Sequence, residues 1–273
     1  MSYQYQLAII GGGAIGEALA AGAIKTGLYA PDRVLVSDPL VARRQYLANQ
    51  YQVQTTTDNI QAAGQAAVLV MAVKPQVYLD VFKPMASEIA EDQLVISVAA
   101  GVTIKEIEAV LAGPVPVVRV MPNTPCLVGK GATVLARGTY ALTQHIMTAD
   151  RLFSALGFTV ELPEDSLNAV TALSGSGPAY VYLIVEALIE AGVRIGLPRE
   201  LSKQLILQTV AGSVQMMAET GKHPAELKEM VTSPGGTTAA ALEYLEDQGI
   251  RGKIIKAVGQ AWERAQELSR MKE

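Results

Sequence analysis

Leu7-Ala8-Ile9-Ile10 is an apolar run that stops at glycine. Gly11, Gly13 and Gly16 follow in the spacing G-x-G-x-x-G, and then an alanine-rich stretch, Glu17 to Thr26, that Gly27 closes. The run reads as a buried strand, the stretch as a helix, and the glycines as the turn between them. Each glycine has a physical task. Gly11 makes the turn, Gly13 lets phosphates approach the backbone, and Gly16 lets helix and strand pack closely. Ala14 and Ile15 stand at the helix start, where free N–H groups favour an anion. A glycine triplet alone is weak evidence, but here the flanking strand and helix supply the context that a dinucleotide site requires.

A second strand, Val34-Leu35-Val36, ends in Ser37-Asp38. An acid about 20 residues past the glycines binds a ribose 2′-hydroxyl, and Asp38 stands near that place. Ser37 with Arg43 and Arg44 behind it suits a 2′-phosphate instead, because a small hydroxyl and guanidinium groups bind that anion. The two arginines read as readily as a solvated helix face. The lean is to NADPH, with NADH as the alternative.

The alternation continues. Val68 to Val73, Val95 to Val98 and Val117 to Val120 are apolar runs of buried parallel-strand type. Helical stretches lie between them, about Pro75–Ala90 and about Thr103–Leu111, the second opened by a Thr103–Glu106 capping box. Thr133–Ala136 and Phe158–Leu162 look like last strands, with a helix at about Thr143–Leu156 between them. Such repetition means an α/β fold, a doubly wound parallel sheet covered by helices. In these sheets the ligand lies off the carboxyl ends of the strands. Those ends carry Gly11–Gly16, Ser37, Ala72-Val73-Lys74-Pro75, Val98-Ala99-Ala100 and Met121–Thr124, all small or polar. Lys74 reads equally as an exposed lysine or as a contact to phosphate or carboxylate. Cys126, between Pro125 and Leu127, reads as a small buried apolar residue. His145 reads as a surface residue without a partner.

Pro163-Glu164-Asp165 marks a boundary, after which the strand signal vanishes. Residues 1–163 form the expected nucleotide-binding domain and 164–273 an all-helical one. Helices are expected from Pro178, with Ser176 as cap, to about Arg194, then Pro198–Glu219, Pro224–Val231, Thr238–Asp247 and Gly252–Met271. Tyr180 to Val185 is apolar on every face, and a helix of that kind must be buried all round. A domain this small has few interior helices, so a second copy is expected to cover it as a homodimer. His223, ahead of Pro224, reads as a capping or packing residue.

Ser233-Pro234-Gly235-Gly236-Thr237-Thr238 stands before one of these helices. Two glycines allow a tight turn, and free N–H groups gather there with three hydroxyls. The stretch is either a capped turn or a seat for a carboxylate.

Composition narrows the class. A formal charge of −4 and a pI near 5.4 disfavour nucleic acid as a partner. A single cysteine excludes an intrachain disulfide framework and fits a cytoplasmic protein. No apolar run is expected to span a membrane, since Glu186 and Glu190 interrupt the longest, Tyr180–Val193. The polar N-terminus does not read as a signal peptide.

Taken together, Ala72–Pro75, Ser97–Thr103, Met121–Pro125, Leu173–Tyr180 and above all Leu227–Thr238 resemble the pyrroline-5-carboxylate reductases over the whole chain. The resemblance implies a Rossmann-type domain and an all-α C-terminal dimerisation domain. It also implies NAD(P)H-dependent reduction of 1-pyrroline-5-carboxylate to L-proline, in dimers that often join into larger rings. Residue by residue, it implies that Ser233 and the turn from Gly235 through Gly236, Thr237 and Thr238 grip the substrate carboxylate. The Thr238 hydroxyl would bond the ring nitrogen, and Ser233 and Thr238 are the candidate catalytic pair. Asn59 would contact the adenosine side of the cofactor, with Ala72–Pro75 and Val98–Ala100 around the nicotinamide. Gly221 departs from the pattern, as some relatives carry a glutamate there. A β-hydroxyacid dehydrogenase is the competing enzyme class, but Asn168 to Arg194 holds no lysine of the kind that class uses. A module that senses NADP without turnover would not need a carboxylate seat.

Overall fold

The computed structural model describes Tyr3–Arg270. The chain runs β1 (Tyr5–Ile10), α1 (Ala14–Lys25), β2 (Val34–Ser37), α2 (Val41–Tyr51), β3 (Gln54–Thr56), α3 (Asn59–Gln65) and β4 (Ala66–Met71). It continues through α4 (Tyr78–Phe82), β5 (Leu94–Ser97), α5 (Ile104–Glu108), β6 (Val117–Met121), β7 (Gly131–Arg137), α6 (Thr143–Ser154) and β8 (Gly157–Glu161). Helices α7 (Leu167–Val170), α8 (Gly177–Arg194), α9 (Arg199–Thr220), α10 (Pro224–Met230), α11 (Thr237–Asp247) and α12 (Ile250–Arg270) complete it.

The strands form one sheet in the order β3-β2-β1-β4-β5-β6-β7-β8. The pairings are parallel except β6–β7. Only a short helical turn, Thr124–Val128, separates β6 from β7, which is too little chain for a parallel crossover. Side-chain alternation splits each apolar strand between two cores. Leu7, Ile9, Val34, Val36, Val68 and Val70 pack on one face. Ala8, Ile10, Leu35, Leu69 and Met71 pack on the other. This double burial explains why these strands read as continuous apolar runs.

Three local departures have physical causes. β3 gave no signal because it is a short polar edge strand, paired only to β2 among the described residues. The helix expected at Pro75–Ala90 is broken into a 3₁₀ turn at Pro75–Val77, α4, and a 3₁₀ run at Lys83–Glu88. Pro84 lacks the N–H a continuing helix needs. Before α8 the backbone makes a π turn, Thr171–Gly175, where the sequence suggested only a cap at Ser176. The expected end at Met271 lies outside the described residues.

The chain forms two compact units: one runs to Ser176 and includes the chain from Ala261 on, and the other is Gly177–Gln260. The sheet ends near Pro163, whereas the chain leaves the first unit only after the π turn. In the second unit α8 and α9 cross closely, since a Cβ on Gly192 would lie 2.7 Å from the Ser202 hydroxyl. Their other faces are bare: Tyr182 is 62% and Leu183 66% exposed. Glu164–Arg194 is a helical stretch of 31 residues whose most apolar window has a mean hydropathy of 1.3. By length and composition alone it is enough to cross a membrane, unlike the expectation from the apolar runs. Glu186 and Glu190 stand within it.

Candidate functional site

The turn after β1 is built as its sequence requires. Gly11 has φ +104°, and a Cβ there would lie 2.6 Å from the Ala72 carbonyl. At Gly16 a Cβ would lie 2.0 Å from the Gly11 carbonyl. Gly13 differs, because a Cβ there would meet nothing within 4 Å. Above it is open space, and the amides of Ala14, Ile15 and Gly16 find no acceptor among the described residues. Open space over free helix-start donors fits the pyrophosphate of a dinucleotide.

At the end of β2 the Ser37 hydroxyl donates to Asn59 Oδ1 at 2.6 Å, so two candidate adenosine contacts are brought together. Asp38 behaves otherwise. Its Oδ2 accepts from the Gly12 amide at 2.9 Å and its Oδ1 from the Leu40 amide at 2.8 Å. The carboxylate braces the glycine turn rather than standing free for a ribose. Arg43 donates to the Gly12 carbonyl and pairs with Glu17, while Arg44 donates to the carbonyls of Asp38 and Pro39. Burial pulls the Glu17 carboxyl up, but hydrogen bonds from Arg43, Tyr51 and Tyr46 outweigh it and hold the group below its usual range.

Ala72–Pro75 leave the end of β4, with the Ala72 amide on the Ile10 carbonyl at 2.8 Å. Val98–Ala100 leave the end of β5, with the Val98 amide on the Met71 carbonyl at 3.2 Å. Lys74 is exposed and forms no ion pair among the described residues. Pro75 and Ala100 border a cavity of about 380 Å³, whose wall also includes Gln76, Asn168 and Thr171. Asn168 and Thr171 were not singled out from sequence. They reach the carboxyl ends of the central strands β4 and β5 because the helical stretch that follows β8 turns back toward them. Nearby, Asn123 donates to the Ser174 carbonyl at 3.0 Å and accepts from the Ala132 amide at 2.9 Å, pinning the π turn.

In the second unit Gly236, not a threonine, is the N-cap of α11. Gly235 takes φ +68° and the Gly236 amide donates to the Ser233 carbonyl at 3.0 Å. No side chain caps this helix. The amides of Thr237, Thr238 and Ala239 and the hydroxyls of Ser233, Thr237 and Thr238 make no hydrogen bond among the described residues. That is a concentration of unused donors at a helix start, where the macrodipole adds positive potential.

The remaining polar residues take structural positions. Cys126 is buried, and burial pushes its thiol up. His145 was expected to lack a partner, but its Nδ1 accepts from the Leu142 amide at 2.9 Å and closes the first turn of α6. His223 caps α10 by accepting from the Ala225 amide at 3.2 Å.

The family description "Pyrroline-5-carboxylate reductase dimerisation" matches residues 164–268, and "NADP oxidoreductase coenzyme F420-dependent" matches residues 6–101. The chain is 46% identical to a pyrroline-5-carboxylate reductase from Synechocystis sp., covering 97% of this chain and 98% of that protein. The corresponding protein of Glycine max is 40% identical over 97% of this chain and 96% of its own length. Among solved structures, a pyrroline-5-carboxylate reductase from Coxiella burnetii superposes with a TM-score of 0.90 at 39% identity, covering 97% and 99% of the two chains. The Plasmodium falciparum pyrroline carboxylate reductase, solved with NADP bound, gives 0.88 at 32% identity, covering 98% and 100%. On this similarity over nearly the full length, the chain belongs to the pyrroline-5-carboxylate reductase family.

Proposed function

We propose that this protein reduces 1-pyrroline-5-carboxylate to L-proline with NADPH, or with NADH as the weaker donor. The observation that carries the reading is the set of unused donors at Ser233–Thr238, placed where a carboxylate is best received. When bound, the nicotinamide would supply a hydride to the carbon of the protonated C=N bond, giving the saturated amine. The protein contributes binding, orientation and electrostatics. Ser233 and the amides of the Gly235–Thr238 turn hold the carboxylate. The Thr238 hydroxyl bonds the ring nitrogen and steadies its proton, so the imine carbon is held in one orientation. Gly11, Gly13, Ala14, Ile15 and Gly16 seat the pyrophosphate, and Ser37 and Asn59 meet the adenosine end. Ala72, Val73, Lys74 and Pro75 with Val98, Ala99 and Ala100 flank the nicotinamide. A protonated imine is already a good hydride acceptor, so no metal step enters the scheme.

The bare apolar faces of α8 and α9 support a homodimer, in keeping with the dimerisation family match. A cytoplasmic enzyme follows from the same reading, with neither nucleic acid nor membrane as a partner. Purified protein should oxidise NADPH, followed by absorbance, only when pyrroline-5-carboxylate is present, and proline should accumulate in equal amount. Substrate-independent oxidation, or none with either nucleotide, would overturn the assignment.

A further inference from the structure

Two adjacent arginines at the end of β2 have unlike surroundings. Arg43 lies 5.1 Å over the Tyr46 ring, donates to the Gly12 carbonyl and pairs with Glu17. Glu17 also accepts from Tyr46 at 3.0 Å and Tyr51 at 2.8 Å. The charge of Arg43 is therefore matched inside a closed cluster joining α1, α2 and the glycine turn. Arg44 pairs with no carboxylate among the described residues. Its Nη1 donates to the carbonyls of Asp38 at 2.7 Å and Pro39 at 3.0 Å, and its Nε and Nη2 make no hydrogen bond among the described residues. These carbonyls fix the guanidinium at the carboxyl end of β2 while leaving its charge and three of its five N–H donors unspent.

We propose that Arg44 reads the 2′-phosphate of NADPH, and that Arg43 is a positioning residue, locked by Glu17 onto the glycine turn and serving NADPH and NADH alike. This rests on the nucleotide-dependent reading above. A 2′-phosphate is best met by a planar guanidinium with free donors. The charge of Arg43 is already matched by Glu17, whose side chain is only 23% exposed. Its Nε and Nη2 are held on the glycine turn and that carboxylate, so it has less charge to offer a phosphate than Arg44. Asp38 already holds a backbone amide on each oxygen, which leaves it fewer acceptor sites for a 2′-hydroxyl.

The test is direct titration of NADPH and of NADH into the full-length protein without substrate, followed by nucleotide fluorescence. Wild type, Arg43→Ala, Arg44→Ala, Arg44→Lys and Glu17→Gln are compared at two salt concentrations. Losing a charge-assisted contact predicts that Arg44→Ala weakens NADPH about tenfold to a hundredfold and leaves NADH within about twofold. Arg44→Lys, which keeps charge but loses the fork, should fall between and carries the test alone if the alanine variant does not fold. Arg43→Ala and Glu17→Gln should weaken both nucleotides by one common factor. A selective loss of NADPH in Arg43→Ala, or an equal loss of both nucleotides in Arg44→Ala, overturns the division of roles. Wild type that binds neither nucleotide would instead overturn the reductase reading, and this inference with it.

Discussion

Gly16 and Gly13 belong to one motif yet should fail in opposite ways when given a methyl group. In Gly16→Ala the new Cβ would lie 2.0 Å from the Gly11 carbonyl oxygen and 3.2 Å from Ile9 Cγ2. Neither obstacle is a flexible side-chain end: one is the backbone of the turn, the other a branched residue in the core. The start of α1 must back away by over an ångström, loosening Ala18, Leu19 and Ala23 from the core they fill. Overpacking costs about 1–3 kcal/mol, and backbone against backbone puts this case near about 3 kcal/mol. For a chain of this size that is a fall of roughly 6–12 °C in melting temperature. In Gly13→Ala nothing lies within 4 Å, and the backbone (φ −65°, ψ −168°) is open to alanine. Exchanging one N-cap residue for alanine costs about 1 kcal/mol or less, so the melting point should drop by no more than about 2–4 °C. The methyl instead fills space the pyrophosphate needs, and NADPH affinity should fall at least about tenfold, or about 1.4 kcal/mol. Thermal melts without nucleotide, then NADPH titration, separate the two. A Gly13→Ala protein that melts low but binds well, or a Gly16→Ala protein that melts like wild type, would refute this division of labour.

Thr238→Ala should lower kcat/KM by about 1.5–3 kcal/mol's worth through loss of a contact to a charged group, and unchanged turnover with the imine would remove Thr238 from the mechanism. Tyr78 is fully buried and its hydroxyl faces Ser97 without closing a hydrogen bond, so burial raises its pKa. Tyr78→Phe should therefore be neutral or stabilising by up to about 1 kcal/mol in denaturant melts; a marked loss would mean that the hydroxyl has a partner. The Glu17 carboxyl is held below its ordinary value of 4.5, so its stabilisation is present above that pH and is lost as pH falls through the lowered value. The melting gap between wild type and Glu17→Gln should stay constant down to about pH 4.5 and narrow progressively below it; a gap unchanged between about pH 4.5 and about pH 3 contradicts the pairing. Leu183→Glu, on the bare face of α8, should convert the oligomer to monomer in light scattering while leaving the monomer folded, since a charge cannot be buried there cheaply.

What could be read from sequence, and what could not, follows from how far apart the cooperating residues lie. The β1–α1 turn was legible because its constraints are local: three glycines, a strand and a helix lie within one stretch of chain. The same holds for the Thr103–Glu106 capping box, which the structure forms in both directions. The bond between Asp38 and the Gly12 amide could not be read from sequence, because the two lie 26 residues apart and no local pattern announces it. Asn168 and Thr171 were missed for a similar reason. They join the cavity beside Pro75 and Ala100 because the chain after β8 folds back toward the carboxyl ends of β4 and β5. The π turn at Thr171–Gly175 was equally hidden, being fixed by Asn123 from the loop after β6. Ser233–Thr238 lies between these cases. Its glycines and hydroxyls mark a helix start, but a capped turn would have used those hydroxyls on its own amides. In the structure they cap nothing, so the donors of this helix start stay free for water or for an anion.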